Sequence, residues 1–352
     1  MEYANELREF GYMKEERFEK ILADIGGVRA ALAGDLCLDA YWRADMTRSE
    51  LSRETPHFPL PVVEERYAPG AGGNAAANIA ALRPKSIAAV GAIGQDWRGD
   101  VLLRELSARG IDVSRVIRHP DRITNAYIKP CRRGISEIEY EDPRLDFENF
   151  TAQPKDLDEA VMAELEKLSS SIDVLCVSDQ FRLGCITDAV RGKLAALASA
   201  GLKIIVDSRY RIGLYSGCVL KPNELEGTAA VGAELRSGDS GLAAYAAAAR
   251  SLSQRAGSPV CMTLGGQGCI VTSVAGPACH VPGVGVESPL DICGAGDTFL
   301  AAFSCALAAG AEMEEAAYIA NLSASVTIKK LGQTGTACPE EIRARYRERN
   351  RA

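Results

Sequence analysis

The residues with the clearest chemical potential lie at positions 291–298, where the sequence reads DICGAGDT. An apolar stretch follows, so Gly294, Ala295 and Gly296 are predicted to open a helix. Small residues at a helix N-terminus leave backbone N–H groups accessible, and with the helix dipole these groups form an anion site suited to a phosphoryl group in transfer. Asp297 could then accept the proton of an attacking hydroxyl. The alternative is a glycine-rich turn in which Asp297 is an ordinary first-turn charge.

A second glycine cluster occupies residues 69–78, which read PGAGGNAAAN and also precede a predicted helix. Gly72 and Gly73 would let a ligand approach the backbone closely, and Asn74 and Asn78 lie one turn apart on one helical face. An asparagine amide both donates and accepts hydrogen bonds, which suits sugar hydroxyls. The alternative is a helix N-cap followed by a buried amide that the backbone satisfies.

Two acids end the first apolar run, where residues 33–39 read AGDLCLD. Asp35 and Asp39 lie at a strand terminus, where two carboxylates could bind vicinal hydroxyls. Acids at such positions also serve as turn and cap residues, which is the commoner role for an isolated pair.

The elements that position these residues alternate between short apolar runs and longer Ala/Leu-rich stretches. Continuous apolar runs are typical of strands covered on both faces, and the alternation predicts an α/β fold with a doubly wound, mostly parallel sheet between two helical layers. Ligands of such sheets bind at the carboxyl ends of the strands. We predict strands over residues 28–33, 86–90, 174–177, 203–206, 260–264 and 269–274, and helices over 75–82, 101–109, 159–168, 187–200 and 240–255.

Two polar, proline-containing segments, 41–67 and 118–148, interrupt this alternation. We predict that they form antiparallel strands of a small β-sheet lid, and two long surface loops are the alternative. The other predicted parts are a charged N-terminal helix or arm over 1–20, one α/β domain over 21–340 that includes the lid, and a charged C-terminal tail over 341–352.

Composition excludes several classes of protein. The 352 residues carry a net charge of -7, which argues against a broad nucleic-acid-binding surface. The eleven cysteines include no C-x-x-C pair, and no two of the three histidines have metal-ligand spacing. The N-terminus lacks a signal-peptide core, and the longest apolar run, 299–311, falls short of the ~18 residues of a membrane span. We expect a cytoplasmic chain with reduced thiols and no membrane partner.

Together and in this order, the three clusters resemble those of the ribokinase-like (PfkB) carbohydrate kinases. Residues 72–78 look like that family's N-terminal signature, and 291–297 resembles its C-terminal D-x-x-G-A-G-D signature. Residues 221–226 contain its N-x-x-E motif, and 263–268 match its nucleotide-side strand and turn. The resemblance runs from about residue 28 to residue 339. It implies a ribokinase-like fold and transfer of the γ-phosphoryl group of ATP to a sugar hydroxyl.

The same resemblance implies roles for single residues. Asp297 would be the general base beside an anion hole of residues 294–296. Asn223 and Glu226 would organise Mg²⁺ through its waters. Asp291 and the carbonyl of Cys293 match positions that hold a monovalent cation, such as K⁺, in many relatives. The nucleotide would be flanked by Thr263, Gly265, Gly268 and Asn321.

Finer matches resemble the heptose 7-phosphate kinases of that family. Residues 34–42 look like their G-D-x-x-L-D-x-Y-W opening, and 144–148 match their R-L-D-F-E stretch. The resemblance therefore implies a heptose 7-phosphate-like acceptor. Its hydroxyls would be read by Asp35, Asp39, Asn74 and Asn78, and its phosphate would suit the guanidinium groups of Arg53, Arg144 and Arg182.

Departures from that pattern leave other acceptors open. Asn125 and Tyr127 stand where the heptose 7-phosphate kinases carry basic residues, and the chain ends soon after Pro339, so no adenylyltransferase domain is expected. A fructose, tagatose, ribose or nucleoside kinase is the alternative, as is a non-catalytic sugar or nucleotide sensor on the same fold. We also expect a homodimer formed through the lid strands, because exposed sheet edges are usually paired or covered.

Overall fold

The computed structural model describes residues 7–136, 138–233, 241–332 and 334–350. These residues form a long sheet between two helical layers and a smaller sheet beside it, which confirms the predicted fold class. The strands are β1 Arg8–Glu9, β2 Arg29–Gly34, β3 Leu36–Asp45, β4 Val62–Ala71, β5 Ser86–Gly94, β6 Asp112–His119, β7 Asn125–Arg133, β8 Glu139–Glu141, β9 Leu145–Phe147, β10 Val174–Asp179, β11 Lys203–Ser208, β12 Val219–Leu220, β13 Val260–Thr263, β14 Gly268–Thr272 and β15 Cys279–Pro282. The α-helices are α1 Glu15–Asp24, α2 Gly72–Ala81, α3 Trp97–Ser107, α4 Lys155–Ser169, α5 Asp188–Ser199, α6 Glu224–Val231, α7 Leu242–Ala256, α8 Ala295–Ala308, α9 Met313–Thr327 and α10 Pro339–Arg349.

The main sheet has the order β1-β15-β14-β13-β12-β11-β10-β2-β5-β6. Among its described strands, β14 runs antiparallel to both neighbours and the other pairs are parallel. Strand β2 explains the continuous apolar runs, because Ala30 and Leu32 face one helical layer while Ala31 and Ala33 face the other. All six predicted strands form. The polar β6 and the short β1, β12 and β15 were not predicted, since they lack a long apolar run.

Helix α8 accounts for the long apolar run, because all ten residues from 298 to 307 are buried and the helix packs against α2 and α9. Its aromatic Phe303 and the α9 residue Tyr318 are fully buried. Within the described residues, no helix combines the length and the apolar character that a membrane crossing requires.

The lid is a second sheet with the order β4-β3-β7-β8, and β9 also pairs with β7. The prediction of antiparallel strands is wrong for its central pair, because β3 and β7 run parallel and the other pairs are antiparallel. It extends further toward the main sheet than the segment 41–67, since β3 begins at Leu36 and β4 ends at Ala71. Residues 118 and 119 belong instead to β6 of the main sheet, and Glu137 lies outside the described residues. The lid therefore begins directly after the carboxyl end of β2, and only Asp35 lies between β2 and β3.

Both chain ends pack against the core. Helix α1 begins within the predicted charged helix or arm at 1–20, and α10 contains most of the predicted charged tail at 341–352. Strand β1 pairs with β15, and Phe18 of α1 is fully buried and stacks on Tyr346 of α10 with ring centroids 4.1 Å apart. Ile342 of α10 is also buried. Each helix carries a narrow apolar stripe among many charges, and the stripe decides the packing. Residues 1–6 and 351–352 lie outside the described residues.

Candidate active site

Asp297 lies in the first turn of α8 and accepts a 2.6 Å hydrogen bond from the side-chain amide of Asn74 on α2. Burial raises the pKa of the Asp297 carboxyl to about 7, although the Asn74 bond opposes the rise. The charges of Asp207 and Lys221, at the carboxyl ends of β11 and β12, also act on it. Asp297 therefore stands at the edge of the sheet where α/β proteins bind ligands.

The backbone before Asp297 is shaped by Gly294, which caps α8 with a φ of 80°. A Cβ atom at this glycine would lie 2.9 Å from the Asn74 amide nitrogen, so both the conformation and the space require glycine. The N–H of Ala295 donates to the carbonyl of Ile292 at 3.2 Å. Among the described backbone hydrogen bonds, none uses the N–H of Gly296 or of Asp297. These two groups are the ones available to an anion at this helix end.

Asn78 has a structural role in this arrangement. Its side chain is 2 % exposed; the amide nitrogen donates to the Asn74 carbonyl at 3.0 Å, and the amide oxygen accepts from the Thr298 hydroxyl at 2.7 Å. Thr298 in turn contacts Thr327. The expected sugar-reading asparagine thus links α2, α8 and α9, while Asn74 faces the acid.

The two glycines at the start of α2 serve close packing within the chain. A Cβ atom at Gly72 would lie 2.7 Å from the carbonyl oxygen of Asp35, and one at Gly73 would lie 2.9 Å from Pro69 Cβ. Both glycines are buried. Their small size lets α2 approach the base of the lid, and the expected approach of a ligand to their backbone stays a prediction.

The two acids after β2 have different surroundings. Asp35 is 2 % exposed and accepts three backbone N–H bonds, at 2.7 Å from Gln180, 2.7 Å from Phe181 and 2.6 Å from Cys185. Burial raises its pKa to about 6, against those bonds. Asp35 therefore holds the loop after β10, as a turn residue would, and its oxygens face protein atoms.

Asp39 lies two residues further into the lid than Cys37, on β3. It is 7 % exposed, and its carboxylate makes no hydrogen bond to another described residue. Burial raises its pKa, while the charges of Lys129 and Arg144 oppose the rise. A buried carboxylate with unfilled acceptor positions is suited to the hydroxyl groups of a ligand.

The three arginines expected at a phosphate have separate positions. Arg144 donates to Asp146 at 2.5 and 2.7 Å and stacks on the Tyr127 ring at 3.9 Å from its centroid. Arg182 stacks on Tyr210 at 4.2 Å. Arg53 is exposed in a lid loop and makes no hydrogen bond or ion pair with the described residues. Of these three arginines, only Arg144 has a charge that acts on Asp39. The Arg144 guanidinium already pairs with Asp146.

Asn223 and Glu226 form the capping box of α6. The Glu226 N–H donates to the Asn223 side chain, and the Asn223 N–H donates to Glu226 Oε2, both at 2.8 Å. Burial raises the pKa of Glu226, and the negative charge of Asp207 adds to the rise. Asp207 pairs with Lys221 at 2.9 Å, and both are buried. This pair, which the sequence analysis missed, joins the capping box to the surroundings of Asp297.

The expected nucleotide residues lie beside that box. An isolated parallel bridge pairs Asn223 with Thr263, the last residue of β13. The turn after β13 therefore lies next to the capping box. Gly268 has a φ of 93°, and a Cβ there would lie 2.1 Å from the Val281 carbonyl oxygen. Asn321 donates to the same carbonyl at 3.1 Å. The second turn glycine, Gly265, also has a positive φ, of 54°.

Asp291 fixes the backbone around the start of α8. One carboxylate oxygen accepts from the Cys293 N–H and the other from the Gly332 N–H, each at 3.0 Å. Two separate chain segments therefore converge on this acid. Each oxygen keeps a second acceptor position, and the monovalent-cation role of Asp291 stays a prediction.

A cavity of about 640 Å³ separates this loop from the inner face of the lid. Tyr41, Arg66 and Lys129 line it from the lid, and Cys293 lines it from the loop. These three lid residues were not among the predicted site residues. Their signal is the strand alternation, because positions 39 and 41 of β3 must face the same side. The remaining lining residues are Arg43, Glu64, Cys131, Glu139, Glu141, Asp291 and Gly332.

Comparison with protein-family models identifies the class of protein to which this site belongs. The model described as "pfkB family carbohydrate kinase" matches residues 62–340. The chain belongs to the pfkB carbohydrate kinase family. The resemblance in the sequence motifs is thereby confirmed.

Two curated relatives carry the name "Bifunctional protein HldE". The protein of Geobacter sulfurreducens is 30% identical over 334 residues, which cover 94% of this chain and 65% of the relative. That of Azotobacter vinelandii is 33% identical over 326 residues, 90% of this chain and 63% of the relative. The chain therefore spans less than two thirds of the length of these relatives.

Solved structures share the fold at low sequence identity. Phosphofructokinase-2 from Escherichia coli, in complex with substrates and products, aligns with a TM-score of 0.67 and 21% identity over 92% of this chain and 100% of its own. Ribokinase from Thermotoga maritima aligns with a TM-score of 0.64 and 21% identity over 91% of this chain and 99% of its own. The fold is ribokinase-like.

Proposed function

We propose that this chain is an ATP-dependent sugar kinase, which transfers the γ-phosphoryl group of ATP to a hydroxyl of a sugar or sugar phosphate. The observation that carries the proposal is the contact of Asp297 with Asn74 beside the open end of α8. A carboxyl group with a pKa of about 7 is matched to general-base work at neutral pH. Family membership supports the same class of reaction.

In this reaction Asp297 takes the proton from the acceptor hydroxyl as its oxygen bonds to the γ-phosphorus, and the bond from phosphorus to the bridging oxygen of ADP breaks. Asn74 holds the carboxylate in place. The N–H groups of Gly296 and Asp297 donate to the transferred phosphoryl oxygens, where negative charge must be stabilised. Asp39 binds other hydroxyls of the acceptor and thereby orients the reacting one.

The residues at α6 fit Mg²⁺ held through water. Glu226 uses one carboxylate oxygen in its capping bond and keeps the other, and Asp207 adds charge nearby. Within the described residues, no three or more His, Cys, Asp or Glu side chains form a preassembled cage. Mg²⁺ is commonly bound by one or two carboxylates together with phosphates and waters. The ion would neutralise charge on the phosphates when the nucleotide binds.

For the acceptor, we propose a heptose 7-phosphate-like sugar. The relatives named "Bifunctional protein HldE" and the matched stretch at 144–148 support this choice. The alternative is another pfkB acceptor, such as fructose, tagatose, ribose or a nucleoside. Release of ADP across a panel of these sugars, each with and without its phosphate, tests the assignment. Turnover of heptose 7-phosphate well above the others is expected, and preference for an unphosphorylated sugar would contradict it.

We further propose that the chain works as a cytoplasmic homodimer and that K⁺ assists it. Strands β4 and β8 are the outer strands of the lid sheet among the described residues, and exposed sheet edges of this kind are usually paired or covered. Asp291 and the carbonyl of Cys293 are the expected K⁺ ligands, and phosphofructokinase-2 from Escherichia coli has been solved in complex with potassium. Light scattering at micromolar concentration should give twice 37.5 kDa. A particle of 37.5 kDa would contradict the dimer.

A further inference from the structure

One row of side chains on the inner face of the lid has no role in the reaction described above. Tyr41 of β3 lies opposite Arg66 of β4 on one side and Lys129 of β7 on the other. The Arg66 guanidinium carbon is 4.1 Å from the centroid of the Tyr41 ring, and Lys129 Nζ is 4.6 Å from it. Because these neighbours come from strands on either side of β3, two cations flank one aromatic ring. Lys129 also donates to the Tyr41 hydroxyl at 3.2 Å.

Neither cation forms an ion pair within 4 Å of a carboxylate in the part of the chain that the structure describes, although the negative charge of Asp39 favours the charged form of Lys129. Arg66 donates to the carbonyl of Gly332 at 2.9 Å, which fixes its direction and leaves its charge unpaired. The adjacent row differs, because Arg43 pairs with Glu64 at 2.5 Å and lies 3.6 Å from Glu139. Two positive charges on one ring repel each other, so an anion bound beside both would stabilise the row.

The position of the row indicates which anion fits. Asp39 lies two residues before Tyr41 on the same face of β3, which places its row about 6.6 Å further into the site. The cavity of about 640 Å³ adjoins the Arg66–Tyr41–Lys129 row and reaches the loop before α8. A ligand whose hydroxyls bind Asp39 would therefore extend its far end to the two cations. A sugar with a phosphate on its terminal carbon has this shape.

We propose that Arg66 and Lys129, which flank the Tyr41 ring, bind the phosphate of a terminally phosphorylated sugar acceptor. The assignment rests on the proposed function for the identity of the second substrate. It places the phosphate of the acceptor at the Arg66–Tyr41–Lys129 row instead of at the three arginines expected from the sequence. The terminal phosphate of ATP has the same charge and the same oxygen acceptors. Asp39, which is suited to hydroxyl groups, lies on the same face of β3 and favours the phosphate of the acceptor.

Binding of manno-heptose 7-phosphate and of manno-heptose, measured by calorimetry without ATP, tests this subsite in Lys129→Met and Arg66→Met. Loss of a hydrogen bond to a charged group should weaken binding of the phosphorylated sugar roughly 10- to 100-fold and leave binding of the free sugar unchanged. Lys129→Arg should retain the preference. Arg48→Gln, which removes an exposed lid cation paired with Asp45, is the matched control and should bind both sugars as the wild type does.

Equal losses on both sugars, no wild-type preference for the phosphorylated one, or an increase confined to the KM for ATP would each overturn the subsite. Melting temperatures of the variants show whether a loss of binding reflects unfolding. If Lys129→Arg still prefers the phosphorylated sugar, the positive charge at this position and not the packing of the lysine side chain sets the preference. If the wild type binds the phosphorylated sugar through these residues and never phosphorylates it, the proposed kinase function fails and the subsite stands.

Discussion

The amide nitrogen of Asn74 lies 2.6 Å from a carboxylate oxygen of Asp297, across the interface between α2 and α8. This contact stabilises the charged form of the acid, which burial disfavours. Asn74→Ala should therefore raise the pKa of Asp297 above about 7 and move the acidic limb of the pH profile of kcat/KM upward by roughly one pH unit.

Thr327→Val is the matched control for that shift, since the Thr327 hydroxyl contacts the Thr298 hydroxyl at 3.0 Å and makes no hydrogen bond with Asn74 or Asp297 among the described residues. It should lower the melting temperature and leave the acidic limb where it is. An unshifted limb in Asn74→Ala would mean that the amide does not set the ionisation of the acid.

Asp297 should also make the protein less stable as the pH rises. Its ordinary pKa is 3.8 and its folded pKa is about 7, so the folded state holds the proton more tightly and stability falls between these values. Asn cannot ionise, so Asp297→Asn should gain stability relative to the wild type as the pH rises. Its free energy of unfolding minus that of the wild type should be about 1–3 kcal/mol larger at pH 8 than at pH 5. Thermal melts at the two pH values measure this difference, and an equal difference at both would contradict the raised pKa.

Glu226 has two separable roles, in the capping box and at the expected magnesium site. Glu226→Gln keeps a side chain that can close the box and removes the charge. It should raise the Mg²⁺ concentration for half-maximal activity roughly 10- to 100-fold with little change in melting temperature. Glu226→Ala should show the same change in Mg²⁺ dependence and also melt lower. An unchanged magnesium titration in both would leave the motif a helix cap alone.

Asp35 and Asp39 provide a matched pair of substitutions. Asp35→Asn places an amide group against three backbone N–H donors and should lower the free energy of unfolding by about 1–3 kcal/mol. Asp39→Asn breaks no hydrogen bond of the described residues, so it should keep the melting temperature and raise the KM for the acceptor. The reverse pattern would show that Asp35, and not Asp39, binds the sugar.

The fold could be predicted from the sequence because its strands are apolar throughout and its helices are long. The short β12 and the polar β6 could not, since their place in the sheet depends on neighbouring strands. Composition also obscured the chain ends, where Phe18 and Tyr346 outweigh the surrounding charges.

The candidate site was predictable where function depends on the type of residue, as at Asp297 and Gly294. It was not predictable where the role of a residue depends on the direction of its side chain. Asp35 and Asp39 look equivalent in sequence, and only the loop after β10 distinguishes them. Lys129 could not be linked to Tyr41 before the register of β3 and β7 was known.

The central claim is that Asp297 is the general base of a sugar kinase, and the kcat of Asp297→Asn with a turned-over acceptor tests it most directly. The asparagine preserves the contact with Asn74 and cannot accept the hydroxyl proton. We expect kcat to fall by about 10²–10⁴-fold, with ATP binding at the wild-type affinity. A variant that keeps the wild-type kcat would contradict the account.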